Sequence, residues 1–267
     1  MGLKGREMGM AKVLAFVNQK GGVGKTTSAV NLAAALQKAG KRVLLCDFDP
    51  QANATSGLGV EKSTAAHSTY DIVIEDFPAA DAVIHTKYCD VLASNVALSG
   101  AGVELVGVEK REYALKTALQ PLREQYDYIF IDCPPSLELL TLNALCAADS
   151  LLVPVQGEYY ALEGLSDLMN TVKLVKNRLN ENLQVEGVVL TMFDGRTNLS
   201  AQVVTEVKKF FKNKVYETII PRSVRLGEAP SFGLPITLYD ERCAGAKAYV
   251  ELAKELMAGN GQEAAGA

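Results

Sequence analysis

The chain has 267 residues, of which 48 % are hydrophobic and 22 % are charged. This composition is typical of a globular protein and excludes collagen-like, low-complexity and intrinsically disordered classes. There are 27 Lys and Arg residues against 31 Asp and Glu residues, so the net charge is −4. Taken alone, that charge argues against a protein whose whole surface binds nucleic acid.

The cysteines and the N-terminus indicate the compartment. Five cysteines are widely spaced without a C-x-x-C pair, which argues against a disulfide framework and against a zinc knuckle. Residues 1–10 lack the apolar core of a signal peptide, and no apolar run approaches 18 residues. We therefore expect a cytoplasmic protein that does not bind membranes, with residues 1–10 as a disordered N-terminal extension.

Short apolar runs alternate with segments of helical length along the chain. The strand predictions are residues 12–18, 42–47, 90–93, 128–132, 150–155, 185–191 and 215–219. The helix predictions are residues 26–39, 109–125, 137–147, 161–179 and 199–211. Continuous apolar strands that alternate with helices predict an α/β fold with a mostly parallel, twisted sheet covered by helices on both faces. We expect one domain over 11–258, followed by a flexible tail over 259–267.

The first predicted strand runs directly into the segment 19–27, QKGGVGKTT, which a helix follows. This strand–loop–helix context is the one that a phosphate-binding P-loop requires, because glycines let backbone N–H groups surround phosphate oxygens. In such a loop Lys25 reaches the β- and γ-phosphates, and the Thr26 hydroxyl binds Mg²⁺. The strict G-x-x-x-x-G-K-[ST] pattern is not met, since Gln19 replaces the first glycine and Lys20 adds a second lysine.

Two other predicted strands end in acidic residues. Asp47 and Asp49 follow the second strand in the segment CDFDPQ, and Asp132 ends the apolar run YIFID. Ligands of open α/β sheets bind at the carboxyl ends of the strands, where these acids are expected. An acid that ends the strand beside a P-loop strand is placed to hold Mg²⁺ through water, which is the role predicted for Asp132.

The segment KGGVGKT at 20–26 resembles the deviant Walker A motif of the ParA/MinD-type P-loop ATPases. The resemblance implies ATP or ADP and Mg²⁺ as cofactors, slow intrinsic ATP hydrolysis, and an ATP-dependent homodimer in which Lys20 reaches the nucleotide of the partner. It implies that Lys20, Lys25 and Asp49 are catalytic, with Asp49 orienting the attacking water. Thr26 and Asp132 would bind the metal, and Asp47 would be either a Mg²⁺-shell residue or a structural partner. The implied nucleotide-binding residues are Lys20, Gly21, Gly22, Val23, Gly24, Lys25, Thr26, Thr27, Pro221 and Ser223.

Longer stretches resemble the partitioning branch of that family. They include DFDPQANATSGLGV from residue 47, DCPPSLELLTLNAL from 132 and PRSVRLGEAPSFGLPI from 221. The resemblance implies an ATPase of chromosome or plasmid partition that is associated with the nucleoid. Its ATP-bound dimer would bind double-stranded DNA without sequence specificity, and a ParB-type partner would stimulate hydrolysis and release. Two departures are Ala52, where glycine is usual, and Ser223, where asparagine is usual in the segment that contributes to the adenine pocket.

Local charge agrees with a DNA partner better than the total charge does. Residues 196–225 contain seven bases and two acids. Arg196 and Arg225 match arginines that contact DNA in the family, and Arg222 lies in the same basic segment. Phosphate contacts from such a region would be independent of sequence and strongly dependent on salt.

Three other functions use the same loop. A MinD-like membrane-associated positioning ATPase requires a basic amphipathic C-terminal helix, whereas this chain ends in LMAGNGQEAAGA. An iron–sulfur ATPase related to the nitrogenase iron protein would use cysteines near Cys133, but the flanking pattern is missing. A metabolic P-loop ligase would need a small-molecule acceptor site that the sequence does not suggest.

Overall fold

The computed structural model describes residues 9–157, 161–194 and 198–265, with side chains from 161–163, 198–201 and 260–265 excluded. Within these residues seven strands form one sheet, in the order β3-β4-β2-β5-β1-β6-β7. The strands are β1 (Lys12–Phe16), β2 (Val43–Asp47), β3 (Val83–His85), β4 (Asp90–Leu92), β5 (Tyr128–Asp132), β6 (Ser150–Gln156) and β7 (Gln184–Thr191). All neighbours are parallel except β3, which pairs antiparallel with β4 at one edge.

Helices connect the strands and cover the sheet. They are α1 (Lys25–Lys38), α2 (Asn53–Gly57), α3 (Thr69–Ile74), α4 (Ala101–Glu104), α5 (Ala114–Leu119), α6 (Leu139–Ala147), α7 (Ala161–Arg178), α8 (Asn198–Phe211), α9 (Val224–Glu228), α10 (Ile236–Tyr239) and α11 (Ala244–Ala265). The last helix continues into the segment that the sequence assigns to a tail, and the flexibility of that segment stays a prediction.

Both faces of the sheet are buried, as the continuous apolar strands predict. Along β1, Val13 and Ala15 belong to a core with α5, α6, α7 and α8, whereas Leu14 and Phe16 belong to a second core with α1 and α11. Successive side chains of a strand point to opposite faces, so a strand between two helical layers must be apolar at every position. The predicted α/β domain with a mostly parallel sheet covered on both faces is confirmed.

Strand register brings the predicted site together. In the parallel pairs, Asp132 at the end of β5 lies opposite Phe16 of β1 on one side and Asp47 of β2 on the other. The loop that follows β1 therefore leaves the sheet beside both acids. Asp47 and Asp132 are more than 80 residues apart in the sequence, and they become neighbours because the three parallel strands end at the same level of the sheet.

Two secondary-structure predictions are wrong. The run 215–219 joins β7 through one isolated bridge, Val188 with Val215, at which the Tyr216 N–H donates to the Val188 carbonyl at 2.9 Å. The amides of Glu217 and Thr218 instead donate to the Glu255 carboxylate of α11, so these residues cannot continue a ladder. The long helix predicted over 109–125 is also wrong, because two 3₁₀ turns flank a short α5 there. Pro121 lies in the second turn and cannot donate a helical hydrogen bond.

Two glycines allow the end of α2 to approach the turn Ala229–Phe232 closely. Gly233 has a φ of +63°, and a Cβ atom there would lie 2.7 Å from the Gly59 Cα atom. Gly59 has a φ of +75° itself. This contact joins the segment after Asp49 to the segment after Ser223, so it helps to shape the site.

We expect Gly233→Ala to lower the free energy of unfolding by about 2–4 kcal/mol, because the methyl group adds both left-handed strain and a backbone clash. Gly102→Ala is the matched control, since Gly102 has open space around its Cβ position and no positive φ. That control should change stability by less than about 1 kcal/mol. Urea denaturation measures both, and equal stability of the two variants would contradict the close approach.

Candidate nucleotide site

The loop between β1 and α1 is built around glycines in left-handed conformations. Gly22 has a φ of +74° and Gly24 a φ of +90°, which side chains other than glycine rarely adopt. Asn18 fixes the start of the loop, because its amide group donates to the Pro154 carbonyl at 2.8 Å and accepts the Lys20 N–H at 3.0 Å. The loop thus presents backbone N–H groups at the N-terminus of α1, where the helix dipole favours an anion.

Lys25, the first residue of α1, is buried inside this loop. Its ammonium group donates to the Lys20 carbonyl at 3.2 Å. Burial lowers the pKa of Lys25, while the negative charges of Asp132 and Asp49 oppose that change. The cation therefore lies beside the acids at the sheet edge, where it can neutralise phosphate oxygens.

Asp132 is a buried carboxyl group without a partner. Both of its oxygens are shielded from solvent, and neither forms a hydrogen bond within the described residues. Burial raises the pKa of Asp132 well above its usual range, and the charge of Asp47 raises it further, while the adjacent Thr26 hydroxyl and the charge of Lys25 act in the opposite direction. An unpartnered acid beside the Thr26 hydroxyl fits a hard divalent cation, so Thr26 and Asp132 are suited to hold Mg²⁺.

Asp47 has its oxygens occupied by the protein. One oxygen accepts both the N–H and the hydroxyl of Thr55 at 2.7 Å, and the other accepts the Asp49 N–H at 3.3 Å. Thr55 in turn accepts the Ser94 N–H at 3.0 Å. Burial raises the pKa of Asp47 to about 6 despite these hydrogen bonds. Of the two roles left open by the sequence, this geometry favours the structural one, which fastens α2 to the end of β2.

Asp49 lies in the turn between β2 and α2. It is buried, one of its oxygens accepts the Gln51 N–H at 2.9 Å, and its charge acts on Lys25. Ala52, at the end of that turn, has a left-handed φ of +52°. The backbone conformation therefore explains why glycine is usual at this position.

A cavity of about 150 Å³ lies beside the loop. It brings Pro221 and Ser223, two of the predicted nucleotide-binding residues, next to Gly24 and Thr27. The remaining wall consists of Thr191, Met192, Ile220, Leu226, Gly227 and Tyr249. A mostly apolar slot with a few hydroxyl groups is suited to a planar aromatic base.

Two residues of this cavity were missed by sequence reasoning. The buried Thr191 hydroxyl, at the end of β7, donates to the Val23 carbonyl of the loop at 2.7 Å. The buried Tyr249 hydroxyl of α11 lies 3.2 Å from the Ser28 hydroxyl of α1. A polar residue that ends an apolar strand is a usable signal for Thr191, but Tyr249 has no local signal because its partner is 221 residues away.

The structure describes two of the three residues predicted to contact DNA. Arg196 lies outside the described residues. Arg222 and Arg225 are exposed on either side of Ser223. The Arg225 guanidinium pairs with Glu228 at 3.0 Å and Asp240 at 3.6 Å. Such exposed pairs are weak because solvent screens them, so a phosphate group can compete for this arginine.

The geometry also bears on the other functions considered. Cys133 is fully buried, and burial raises the pKa of its thiol well above the usual range, which disfavours the thiolate that a cluster requires. Among the helices that the structure describes, none is long and apolar enough to cross a membrane.

A glycine-rich loop at the N-terminus of α1, with a buried lysine and an unpartnered acid on the next strand, defines a P-loop nucleotide-hydrolysing protein. A family model described as an AAA domain matches residues 11–185. The chain is 58 % identical over 251 residues to the sporulation initiation inhibitor protein Soj of Bacillus subtilis, covering 93 % of this chain and 99 % of that protein. It is 53 % identical over 250 residues to the chromosome partitioning protein ParA of Myxococcus xanthus, covering 93 % and 88 %. The chain belongs to the Soj/ParA family of chromosome-partitioning ATPases.

Solved structures share the fold. A cobyrinic acid a,c-diamide synthase from Mycobacterium smegmatis, with a bound ATP analog and magnesium, superposes with a TM-score of 0.83 at 36 % identity. The match covers 92 % of this chain and 94 % of that chain. The identities to Soj and ParA confirm the family that the sequence motifs resemble.

We expect Asp132→Asn to stabilise the metal-free protein by about 1–2 kcal/mol at pH 8, because it removes a buried charge that has no partner. The pKa of Asp132 is higher in the folded chain than in the unfolded chain. Ionised Asp132 therefore destabilises the fold fully above the folded-state pKa, and this destabilisation disappears as the pH falls toward the unfolded-state pKa. The stabilisation should therefore shrink between pH 8 and pH 4, while Mg²⁺-dependent ATP hydrolysis is lost. Thermal unfolding at several pH values measures the first effect, and a less stable variant at pH 8 would contradict it.

Thr191→Val should weaken ATP binding about tenfold, because the isosteric side chain leaves the Val23 carbonyl unsatisfied and frees the loop. Thr191→Ser keeps the hydroxyl and should stay within about threefold of the original affinity. Titration with a fluorescent ATP analog measures both variants, and thermal unfolding verifies that they fold. Equal affinity of the Val and Ser variants would show that the hydroxyl does not position the loop.

Proposed function

We propose that this protein hydrolyses ATP to ADP and phosphate in order to partition a chromosome or a plasmid. The observation that carries the proposal is the meeting, at one edge of the sheet, of a P-loop with two lysines, an unpartnered buried Asp132 and a base-sized cavity. The similarity to proteins named Soj and ParA supports partitioning as the process.

The residues of the site divide the work on the nucleotide. Loop N–H groups and Lys25 bind the phosphates, and the cavity beside Pro221 and Ser223 takes the adenine. Thr26 and Asp132 would hold Mg²⁺, which would supply positive charge to the phosphate oxygens. Asp47 holds the turn that carries Asp49 in place.

Hydrolysis needs a second copy of the chain. Asp49 orients the attacking water, and Lys20 crosses to the γ-phosphate of the partner subunit, where a cation offsets the charge of the transition state. Intrinsic turnover is slow because Lys20 acts only once the ATP-bound dimer has formed.

The ATP-bound dimer binds DNA without sequence specificity through Arg196, Arg222 and Arg225. Pairing two copies doubles the number of phosphate contacts, which makes DNA binding depend on the nucleotide. A ParB-type partner stimulates hydrolysis and releases the DNA, so the protein works in the cytoplasm in association with the nucleoid.

Two rival functions have less support. A membrane-associated positioning ATPase would need a basic amphipathic helix, whereas α11 carries Lys247 and Lys254 against Glu251, Glu255 and Glu263. A synthase function would follow the Mycobacterium structure, but that similarity is 36 % in sequence against 58 % and 53 % for the partitioning proteins.

The test is DNA binding at several salt concentrations with ATP, with ADP and without nucleotide. We expect ATP to raise the affinity at least about tenfold, with a steep salt dependence in that state. Lys20→Ala should bind ATP but lose both the ATP-dependent dimer in sedimentation and the gain in DNA affinity.

Equal DNA binding in all three nucleotide states would refute the switch. Binding to liposomes in place of DNA would favour the membrane-associated ATPase.

A further inference from the structure

A set of exposed cations on α7 and on the turn Lys212–Lys214 has no acidic partner in the described part of the chain. We call this set the α7 basic surface, and its members are Lys173, Lys176, Arg178 and Lys214. None of them forms an ion pair with another residue that the structure describes.

The neighbouring cations have acidic partners instead. On α8, Lys208 pairs with Glu217 at 3.4 Å, and Lys209 pairs with Glu206 at 2.6 Å. Within the basic segment 196–225, the cations of α8 and Arg225 are thus ion-paired. Lys214 of the 212–214 turn instead lies beside the cations of α7. Sequence counting misses this continuation because α7 precedes the segment by about 20 residues.

The α7 basic surface borders two adjoining clefts. A cleft of about 360 Å³ between α7 and the start of β7 has an apolar floor that includes Val172 and Leu183, below Lys173, Lys176 and Lys214. A second cleft of about 310 Å³ at the end of α7 shares Lys176. Its other lining residues are Lys116, Asn177, Arg178, Leu179, Asn180, Glu181 and Asn182. The strip is therefore concave, with one acid among its cations and amides.

We propose that the α7 basic surface contacts the phosphate backbone of double-stranded DNA. Lys173 and Lys176 are one helical turn apart, and exposed lysine, arginine and asparagine side chains are the groups that bind phosphate oxygens without reading bases. A rod-shaped polyanion fits a concave strip along its length, whereas a flat bilayer would meet only the rims of the clefts. The proposal rests on the proposed function, which supplies DNA as the polyanion.

The position of this surface sets it apart from the nucleotide-gated contacts. Val185, at the start of β7, lines the first cleft, whereas Thr191, at the end of β7, lines the base cavity. At about 3.3 Å per residue, the two ends of this strand are roughly 20 Å apart. A second copy docked across the phosphate loop would meet the end of β7 that lies away from the α7 basic surface. The surface therefore contributes to DNA binding in every nucleotide state, and the dimer carries it twice.

The test compares two double variants with the same change of net charge. Lys173→Glu/Lys176→Glu reverses two cations of the surface, and Lys41→Glu/Lys87→Glu reverses two lysines near β2 and β3, at the other side of the sheet. We expect the first variant to bind DNA at least about tenfold more weakly with ATP and with ADP alike, and to lose about two units of salt slope. The control should stay within about twofold, and basal ATP hydrolysis should be unchanged in both.

Equal DNA affinity of the two double variants would overturn this inference and leave the proposed function standing. Unaltered protein that binds no DNA in any nucleotide state would overturn both. Vesicles of phosphatidylglycerol form a further arm of the experiment. Loss of vesicle binding in the first variant, with DNA binding retained, would also overturn the inference, because the surface would then face a membrane.

Discussion

The site depends on the in-line ending of three parallel strands. Because β1, β2 and β5 pair in register, the phosphate loop, Asp47 and Asp132 leave the sheet at one edge. Parallel strands require both faces to be covered, so this edge is open only where loops follow the strands. The fold therefore places a cluster of buried charged side chains beside a glycine-rich loop.

Within that cluster, the charges differ in how well the protein satisfies them. Asp47 accepts three hydrogen bonds and holds a turn, whereas Asp132 accepts none within the described residues. A buried charge without a partner destabilises the fold by itself. Carboxylate oxygens that accept no hydrogen bonds can bind a divalent cation. The feature that suits Asp132 to bind a metal therefore also lowers the stability of the fold.

Strand β7 runs from the α7 basic surface to the nucleotide site. At its carboxyl end Thr191 bonds the phosphate loop, and at its amino end it borders the α7 basic surface. The net charge of −4 is a sum over the whole chain, whereas residues 196–225 contain seven bases against two acids. An acidic total is thus compatible with a polyanionic partner, since affinity for phosphates depends on local charge.

The sequence by itself determined the α/β class, the phosphate loop and the acids, because strand periodicity and P-loop chemistry are local patterns. Through a family resemblance it also predicted nucleotide contacts at Pro221 and Ser223, which line the cavity beside the loop. Only the tertiary structure decided the roles of Thr191 and Tyr249, whose partners lie in distant segments. It also showed that 215–219 is no strand, since Glu255 of α11 takes the amides that a ladder would need. The tertiary structure also showed which cations have acidic partners, because ion pairs depend on side chains brought together by the fold rather than on a count along the chain.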